Sequence, residues 1–90
     1  MKPLRFAGAF RRDLKRVTRR RYRLDDLDVI VTALREGEHL APSARDHPLK
    51  GEWRGYRECH VAPDWLLVYK VTDEEVLLAR TGTHADLFDL

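Results

Sequence analysis

The sequence contains a single cysteine among its 90 residues, so it has neither the pairs of a disulfide framework nor the cluster of a cysteine zinc site. It lacks an apolar run long enough for a signal peptide or a membrane-spanning helix. No internal repeat and no low-complexity tract divides it. We therefore expect one domain over residues 1–90, with no membrane contact and with the cytoplasm as its compartment.

Hydrophobic residues make up 43% of the chain, which is enough for a core, and charged residues make up 36%, which is more than an average domain carries. A domain of this size buries only about 60–65% of the surface that its unfolded chain exposes. We therefore expect modest stability, which is compatible with a permanent partner.

The net charge of +2 hides an uneven distribution. Residues 1–24 carry a net charge of +9, whereas residues 25–90 carry −7. Such a basic segment is typical either of a solvated helix face or of a surface that binds a polyanion such as RNA or an acidic protein. The charge density favours polyanion binding. The residues expected to carry it are Arg11, Arg12, Lys15, Arg16, Arg19 and Arg20.

The first half of the chain predicts a short strand and two helices. Residues 3–7 alternate weakly, as in a short strand, and a basic amphipathic helix follows over about residues 8–21. The apolar residues of its buried face are Phe10, Leu14 and Val17. A second helix begins after two N-cap candidates, Asp25 and Asp26, and ends at Gly37, which is a typical C-terminal cap. The two helices should form an antiparallel hairpin.

The second half predicts a loop and then a sheet. Proline and glycine punctuate residues 38–52, which we interpret as loop. Three β-rich runs follow at residues 56–61, 65–71 and 76–81, joined by connections short enough for hairpin turns. The prediction is an α+β fold in which the helical hairpin packs on an antiparallel β-meander, followed by a short C-terminal tail.

Five polar residues lie at the ends of the apolar runs or in the loop before them: His47, His60, Asp64, Arg80 and His84. A tight turn and antiparallel pairing would bring most of them to one edge of the sheet, because neighbouring strands are about 4.8 Å apart. Proton-transfer groups beside a fixed cation are what cleavage of a phosphodiester needs when no metal takes part.

Each of these residues has a structural alternative. His60 is also compatible with a half-buried strand histidine, Asp64 with an ordinary turn residue, and His84 with a simply exposed residue near the C-terminus. Arg80 lies in an apolar strand and needs an anionic partner, for which Asp64 or a substrate phosphate is the candidate. A metal site is the rival interpretation of the histidines, but the sequence has no HxH or HxxxH spacing, so we expect neither metal nor cofactor.

Four segments carry a resemblance to a known family: DHPL (46–49), GEWRGYRECH (51–60), PDWLLVY (63–69) and RTGTHADLF (80–88). They closely resemble the YafQ-type toxins of the RelE superfamily. The resemblance is strong over residues 46–88, whereas the N-terminal half is similar only in layout. It implies a RelE-like fold and a bacterial type II toxin that cuts mRNA in the ribosomal A site. The active-site positions that it implies are His47, His60, Asp64, Arg80, His84 and Phe88.

The resemblance also implies a mechanism of intramolecular transesterification, in which the ribose 2′-hydroxyl attacks the adjacent phosphorus and DNA is not cut. His84 would donate a proton to the leaving oxygen, and either Asp64 or His60 would accept one. Arg80 and His47 would stabilise charge on the phosphoryl oxygens. Phe88 would stack on a base, or else fold onto the core, and Trp65 would mainly pack.

The implied partners are the ribosome with its mRNA, and an antitoxin with a DNA-binding N-terminal part and an acidic C-terminal segment. DNA would be contacted only through that antitoxin. We expect the acidic segment to cover the basic helix rather than the edge between His47 and His84. Two alternatives remain open at this point: a non-catalytic toxin that inhibits gyrase, as in the ParE group, and a basic RNA-binding module without catalysis.

Overall fold

The computed structural model describes residues 1–88. It contains five strands, three α-helices and two short 3-10 helices. In chain order they are β1 (Leu4–Phe6), α1 (Gly8–Arg19), α2 (Leu24–Arg35), the 3-10 helix Pro42–Ala44, β2 (His47–Pro48), the 3-10 helix Gly51–Trp53, β3 (Arg57–Ala62), β4 (Trp65–Val71), β5 (Val76–Gly82) and α3 (His84–Phe88).

The strands form one mixed sheet in the order β1-β5-β4-β3-β2. The predicted antiparallel meander is confirmed as β3-β4-β5, and the α+β class is confirmed with it. The predicted first strand also forms, and it pairs parallel with β5, where Leu4 lies opposite Val76. Within residues 38–52, which the sequence predicts as loop, the two residues of β2 add an antiparallel edge to β3.

The two predicted helices form, and their ends differ from those that the sequence predicts. α1 ends at Arg19 instead of residue 21, because Arg21 adopts a positive φ of 62° that terminates the helix. Asp25 and Asp26 lie in the first turn of α2 and not at its N-cap, where their charges favour the positive end of the helix dipole. Gly37 caps the C-terminus as predicted, with a φ of 72°.

Side chains on the two faces of the sheet have different roles. The core lies between the sheet and the two long helices, and its buried residues include Phe10, Val17, Leu67, Tyr69 and Leu78. β4 is buried from Trp65 to Tyr69, as predicted for a central strand covered on both faces.

No helix within residues 1–88 has both the length and the apolar character needed to cross a bilayer.

The face of the sheet opposite the core carries the polar residues. In antiparallel strands, residues that lie opposite one another project to the same face. The register places His47 opposite Glu58, Glu58 opposite Val68, and Val68 opposite Arg80, which makes one row across four strands. A second row runs from His60 through Leu66 to Gly82.

The predicted C-terminal tail is helical as far as the structure describes it. Residues 84–88 form the short helix α3 directly after β5, and Phe88 lies half-buried in its last turn. This helix begins at His84, so it fixes that histidine at the end of the second row.

Candidate active site

His84 and Asp64 form a hydrogen-bonded pair at one end of the sheet. His84 Nδ1 lies 2.9 Å from Asp64 Oδ1, and the His84 backbone N–H donates to the same oxygen over 3.2 Å. The side-chain contact and then the backbone contact hold the pKa of Asp64 below its ordinary value. Because a carboxylate only accepts, Nδ1 carries the proton, and Nε2 is left for another partner.

His60 lies beside this pair. It is near the end of β3, just before the β3–β4 turn that contains Asp64. Its Nδ1 lies 3.3 Å from the Pro63 carbonyl oxygen, and its ring centroid is 6.0 Å from that of His84. A carbonyl oxygen accepts only, so Nδ1 of His60 is the donor there. In the neutral ring, Nε2 of His60 is then a proton acceptor.

Glu58 is a member of the site that the sequence prediction missed. It is only 5% exposed, and its Oε1 lies 3.3 Å from His47 Nε2. One ligand atom each from Glu58, His60 and His84 lies within 4.8 Å of the others, so this trio has the dimensions to hold a metal ion. The sequence pattern could have identified Glu58, because the period of two in a strand places it on the same face as His60.

The structure corrects the expected partner of Arg80, which is Asp13 and not Asp64. Arg80 Nε and Nη2 donate to the two carboxylate oxygens of Asp13 over 2.6 and 3.2 Å. Asp13 also accepts the backbone N–H of Thr81 and is only 2% exposed. The hydrogen bonds to Asp13 raise the pKa of Arg80, so its charge is permanent.

The reason for this correction is the short length of β1. It pairs with β5 only as far as Leu78, so the following residues of β5 have an open edge. α1 runs along that edge and places Asp13 against it. The sequence prediction named Asp64 or a substrate phosphate as the partner, but Asp64 is already held by His84.

A second ion pair fixes the start of α3. Thr83 and Asp86 exchange hydrogen bonds between side chain and backbone, which is a capping box with an aspartate in the last position. Arg20, which follows α1, binds both oxygens of Asp86, over 2.6 and 3.0 Å, and holds the pKa of Asp86 well below its usual range. Gly82 has a φ of 152°, and a Cβ there would lie 2.9 Å from Asp86 Oδ2, so this turn requires glycine.

Two of the six predicted RNA-binding residues are therefore already paired within the protein. Arg20 binds Asp86, and Arg16 lies 3.7 Å from Asp13 and 3.6 Å from Asp86. Arg11 packs its guanidinium 5.3 Å from the ring centroid of Phe6. The remaining three are exposed on α1 at positions 12, 15 and 19, whose spacing places them in one stripe.

The residue before β2, Asp46, holds the strand that carries His47 in place. Asp46 accepts hydrogen bonds from the Tyr69 hydroxyl and from Arg57 Nε, the latter over 3.2 Å. Burial, and then the contact with Asp46, raises the pKa of Tyr69, so the hydroxyl stays a donor. His47 itself is exposed at the end of its row, next to Glu58.

The structure thus brings His60, Asp64 and His84 together, with Glu58 among them. Trp65 is buried as expected, and its Nε1 donates to Thr81 Oγ1 over 2.8 Å, so it supports the site from within the core. Arg80 lies one row further along the same face, in the row that ends at His47.

Comparison with known proteins gives consistent matches along the chain. Residues 2–89 match the family described as a bacterial toxin of type II toxin–antitoxin system, YafQ. The mRNA interferase toxin YafQ of Escherichia coli K12 is 41% identical over 86 residues, which are 94% of each chain. These matches include the N-terminal half, for which the sequence motifs indicated only a similar layout.

Solved structures of toxins agree with this family match. The toxin in the E. coli DinJ-YafQ toxin–antitoxin complex superposes with a TM-score of 0.89 at 40% identity, over 97% of both chains. A metal-bound toxin from Helicobacter pylori superposes with a TM-score of 0.91 at 38% identity, over 98% of this chain and all of that one.

Proposed function

Because the chain belongs to the YafQ family of bacterial toxins from type II toxin–antitoxin systems, we propose that it is an endoribonuclease that cleaves mRNA in the ribosomal A site. The E. coli relative is an mRNA interferase. The observation that carries the proposal is the Asp64–His84 hydrogen bond of 2.9 Å beside a second histidine. A toxin that only binds its target has no need of this arrangement.

The proposed reaction is transesterification within the RNA. The 2′-oxygen forms a bond to phosphorus while the bond from phosphorus to the 5′-oxygen breaks, which leaves a 2′,3′-cyclic phosphate and a 5′-hydroxyl. His60 takes the proton of the 2′-hydroxyl at Nε2, and His84 gives a proton to the 5′-oxygen from Nε2. Histidine suits both roles because its ordinary pKa of about 6.5 leaves both forms populated near neutrality.

We assign the base role to His60 and not to Asp64, although the sequence alone left both open. The carboxylate of Asp64 is bonded twice to His84, where it orients the ring and stabilises the imidazolium. The remaining donors of Arg80, together with His47, would then stabilise the developing charge on the phosphoryl oxygens. Phe88 would stack on a base of the unstacked mRNA, an interaction worth about 1–3 kcal/mol.

We further propose that cleavage needs no metal. The trio Glu58, His60 and His84 could hold one, and the H. pylori relative is a metal-bound toxin. However, an ion there would occupy the lone pair with which His60 accepts a proton, and it would displace the proton that His84 donates. A metal in this position would therefore inhibit the proposed reaction.

Primer extension on mRNA from cells that express the protein tests this function. We expect new 5′ ends at a fixed position relative to the codons, because cleavage on the ribosome follows the reading frame. Ends scattered without regard to the frame would contradict the A-site proposal, and an absence of new ends would contradict the endoribonuclease itself.

The exposed stripe of Arg12, Lys15 and Arg19 is the surface that we propose for ribosomal RNA and for the acidic segment of a cognate antitoxin. Reversing all three to Glu should weaken binding to ribosomes. The slope of log K against log salt should become less steep by up to about 0.9 for each phosphate that the variant no longer neutralises. Affinity for the antitoxin should fall in the same variant.

Binding to ribosomes and antitoxin as a function of salt, with folding checked by circular dichroism, measures both effects. Arg16 and Arg20 stay unchanged in this variant because they hold Asp13 and Asp86. If both affinities survive the reversal, the stripe is a solvated helix face. If only antitoxin binding survives, the antitoxin covers another surface, such as the edge between His47 and His84.

A further inference from the structure

Two arginines have a backbone conformation that glycine would suit better. Within residues 1–88, Arg21 and Arg45 are the non-glycine residues with a positive φ, at 62° and 50°. Arg21 follows the C-cap of α1, and Arg45 is the C-cap of the 3-10 helix Pro42–Ala44. Helix ends of this kind usually have glycine, because a Cβ is strained there. The arginine side chains themselves therefore need an explanation.

Each of these arginines lines a depression next to the turn between β3 and β4. Arg21 lines a depression of about 360 Å³ on the side of Asp64. Arg45 lines another of about 530 Å³ on the side of His60. Ala62, at the end of β3, contributes to both. The two depressions thus flank the residues to which we assign the chemistry.

The other charged groups in the first depression leave Arg21 free to bind an anion. The other charged groups that line it are Arg23, Asp26 and Asp64. Asp64 is bonded to His84, and Asp26 lies 3.8 Å from Arg23. Among the residues that the structure describes, Arg21 has no side-chain hydrogen bond or ion pair of its own. It is exposed and can bind an anion.

In the second depression, Arg45 is likewise available to bind an anion. Arg45 and His60 are its charged or titratable lining residues, and no carboxylate among residues 1–88 lines it. His60 is engaged at Nδ1 with the Pro63 carbonyl oxygen. The exposed guanidinium of Arg45 makes no hydrogen bond or ion pair within the same described range.

We propose that Arg21 and Arg45 are phosphate-binding subsites for single-stranded RNA, one on each side of the scissile phosphate. This inference rests on the proposed RNA cleavage. The strand crosses the β3–β4 turn from one depression to the other, and each guanidinium binds a flanking phosphodiester, for which its paired N–H donors are well suited. The phosphate between them then lies against His60 and His84.

The substitutions Arg21→Gly and Arg45→Gly test the subsites, because each removes the side chain without straining the backbone. Glycine accepts both backbone conformations, so we expect thermal midpoints close to that of the wild type. The probe is a short single-stranded RNA with fluorine in place of every 2′-hydroxyl, which has no nucleophile and cannot be cleaved. We expect its affinity, measured by fluorescence anisotropy, to fall about tenfold in each variant. The salt slope should fall by about 0.7 for each phosphate that no longer has an arginine partner.

Two variants serve as controls. Arg21→Lys keeps a positive charge on the same strained backbone and should retain part of the affinity. Arg5→Ala removes an exposed arginine of β1, which pairs with Glu75 just before the start of β5, and should leave the affinity unchanged.

Unchanged affinity in either glycine variant, or a wild-type protein that does not bind the probe, would overturn the proposal. A wild-type protein that binds the probe through both arginines and yet yields no cleaved mRNA keeps the subsites and refutes the proposed cleavage. The two failures are thus distinguishable.

Discussion

Replacing His84 by Ala should lower the rate of mRNA cleavage by about 10²–10⁴-fold and abolish growth arrest, because the leaving 5′-oxygen loses its proton donor. The side chain of His84 is 42% exposed and contributes nothing to the buried core. We therefore expect the variant to fold and to bind its antitoxin as the wild type does. Single-turnover cleavage of mRNA on ribosomes measures the loss.

His39→Ala is the matched control, since this exposed histidine lies in the connection after α2, apart from the row that ends in His84. It should cleave mRNA at the wild-type rate. A folded His84→Ala variant that still cuts mRNA and stops growth would contradict the assignment of the general acid.

Asp13→Ala should destabilise the protein strongly, with a loss of about 3–5 kcal/mol in the free energy of unfolding. Its carboxylate is 2% exposed and binds both Arg80 and the backbone of Thr81. Without it, the guanidinium of Arg80 and one N–H group at the edge of β5 lose their partner. Urea unfolding, followed by circular dichroism, measures the change.

Asp25→Ala provides the comparison, because Asp25 is an exposed acid in the first turn of α2, and its loss should cost under about 1 kcal/mol. Arg80→Ala should also destabilise the protein, since it leaves Asp13 buried and unpaired. Loss of toxicity in that variant would therefore report folding as well as chemistry. An Asp13→Ala variant as stable as Asp25→Ala would refute the structural role of this pair.

The elements that the sequence predicted well are those in which a local pattern decides the outcome. The continuous apolar run of β4 predicts a strand covered on both faces, and the structure buries it on both. The turn after His60 brings it near Asp64, because a tight hairpin leaves few other arrangements. Such predictions depend on neighbours in sequence.

The contacts that the sequence did not predict join residues far apart in the chain. Asp13 and Arg80 are 67 positions apart, and they meet because β1 is too short to cover the end of β5. Nothing in the pattern of either segment indicates this. Arg20 was likewise expected to be free to bind RNA, because its partner Asp86 lies 66 positions away in the sequence. A charge count along a helix does not show which charges are neutralised within the fold.

The chemical ends of the cleaved RNA test the central claim most directly. Purified protein is incubated with mRNA on ribosomes, in the presence of a chelator that removes transition metals and leaves magnesium on the ribosome. If His60 and His84 carry out a metal-free transesterification, the upstream fragment ends in a 2′,3′-cyclic phosphate or a 3′-phosphate, and the downstream fragment begins with a 5′-hydroxyl. Downstream fragments with a 5′-phosphate, or cleavage that the chelator abolishes, would contradict it.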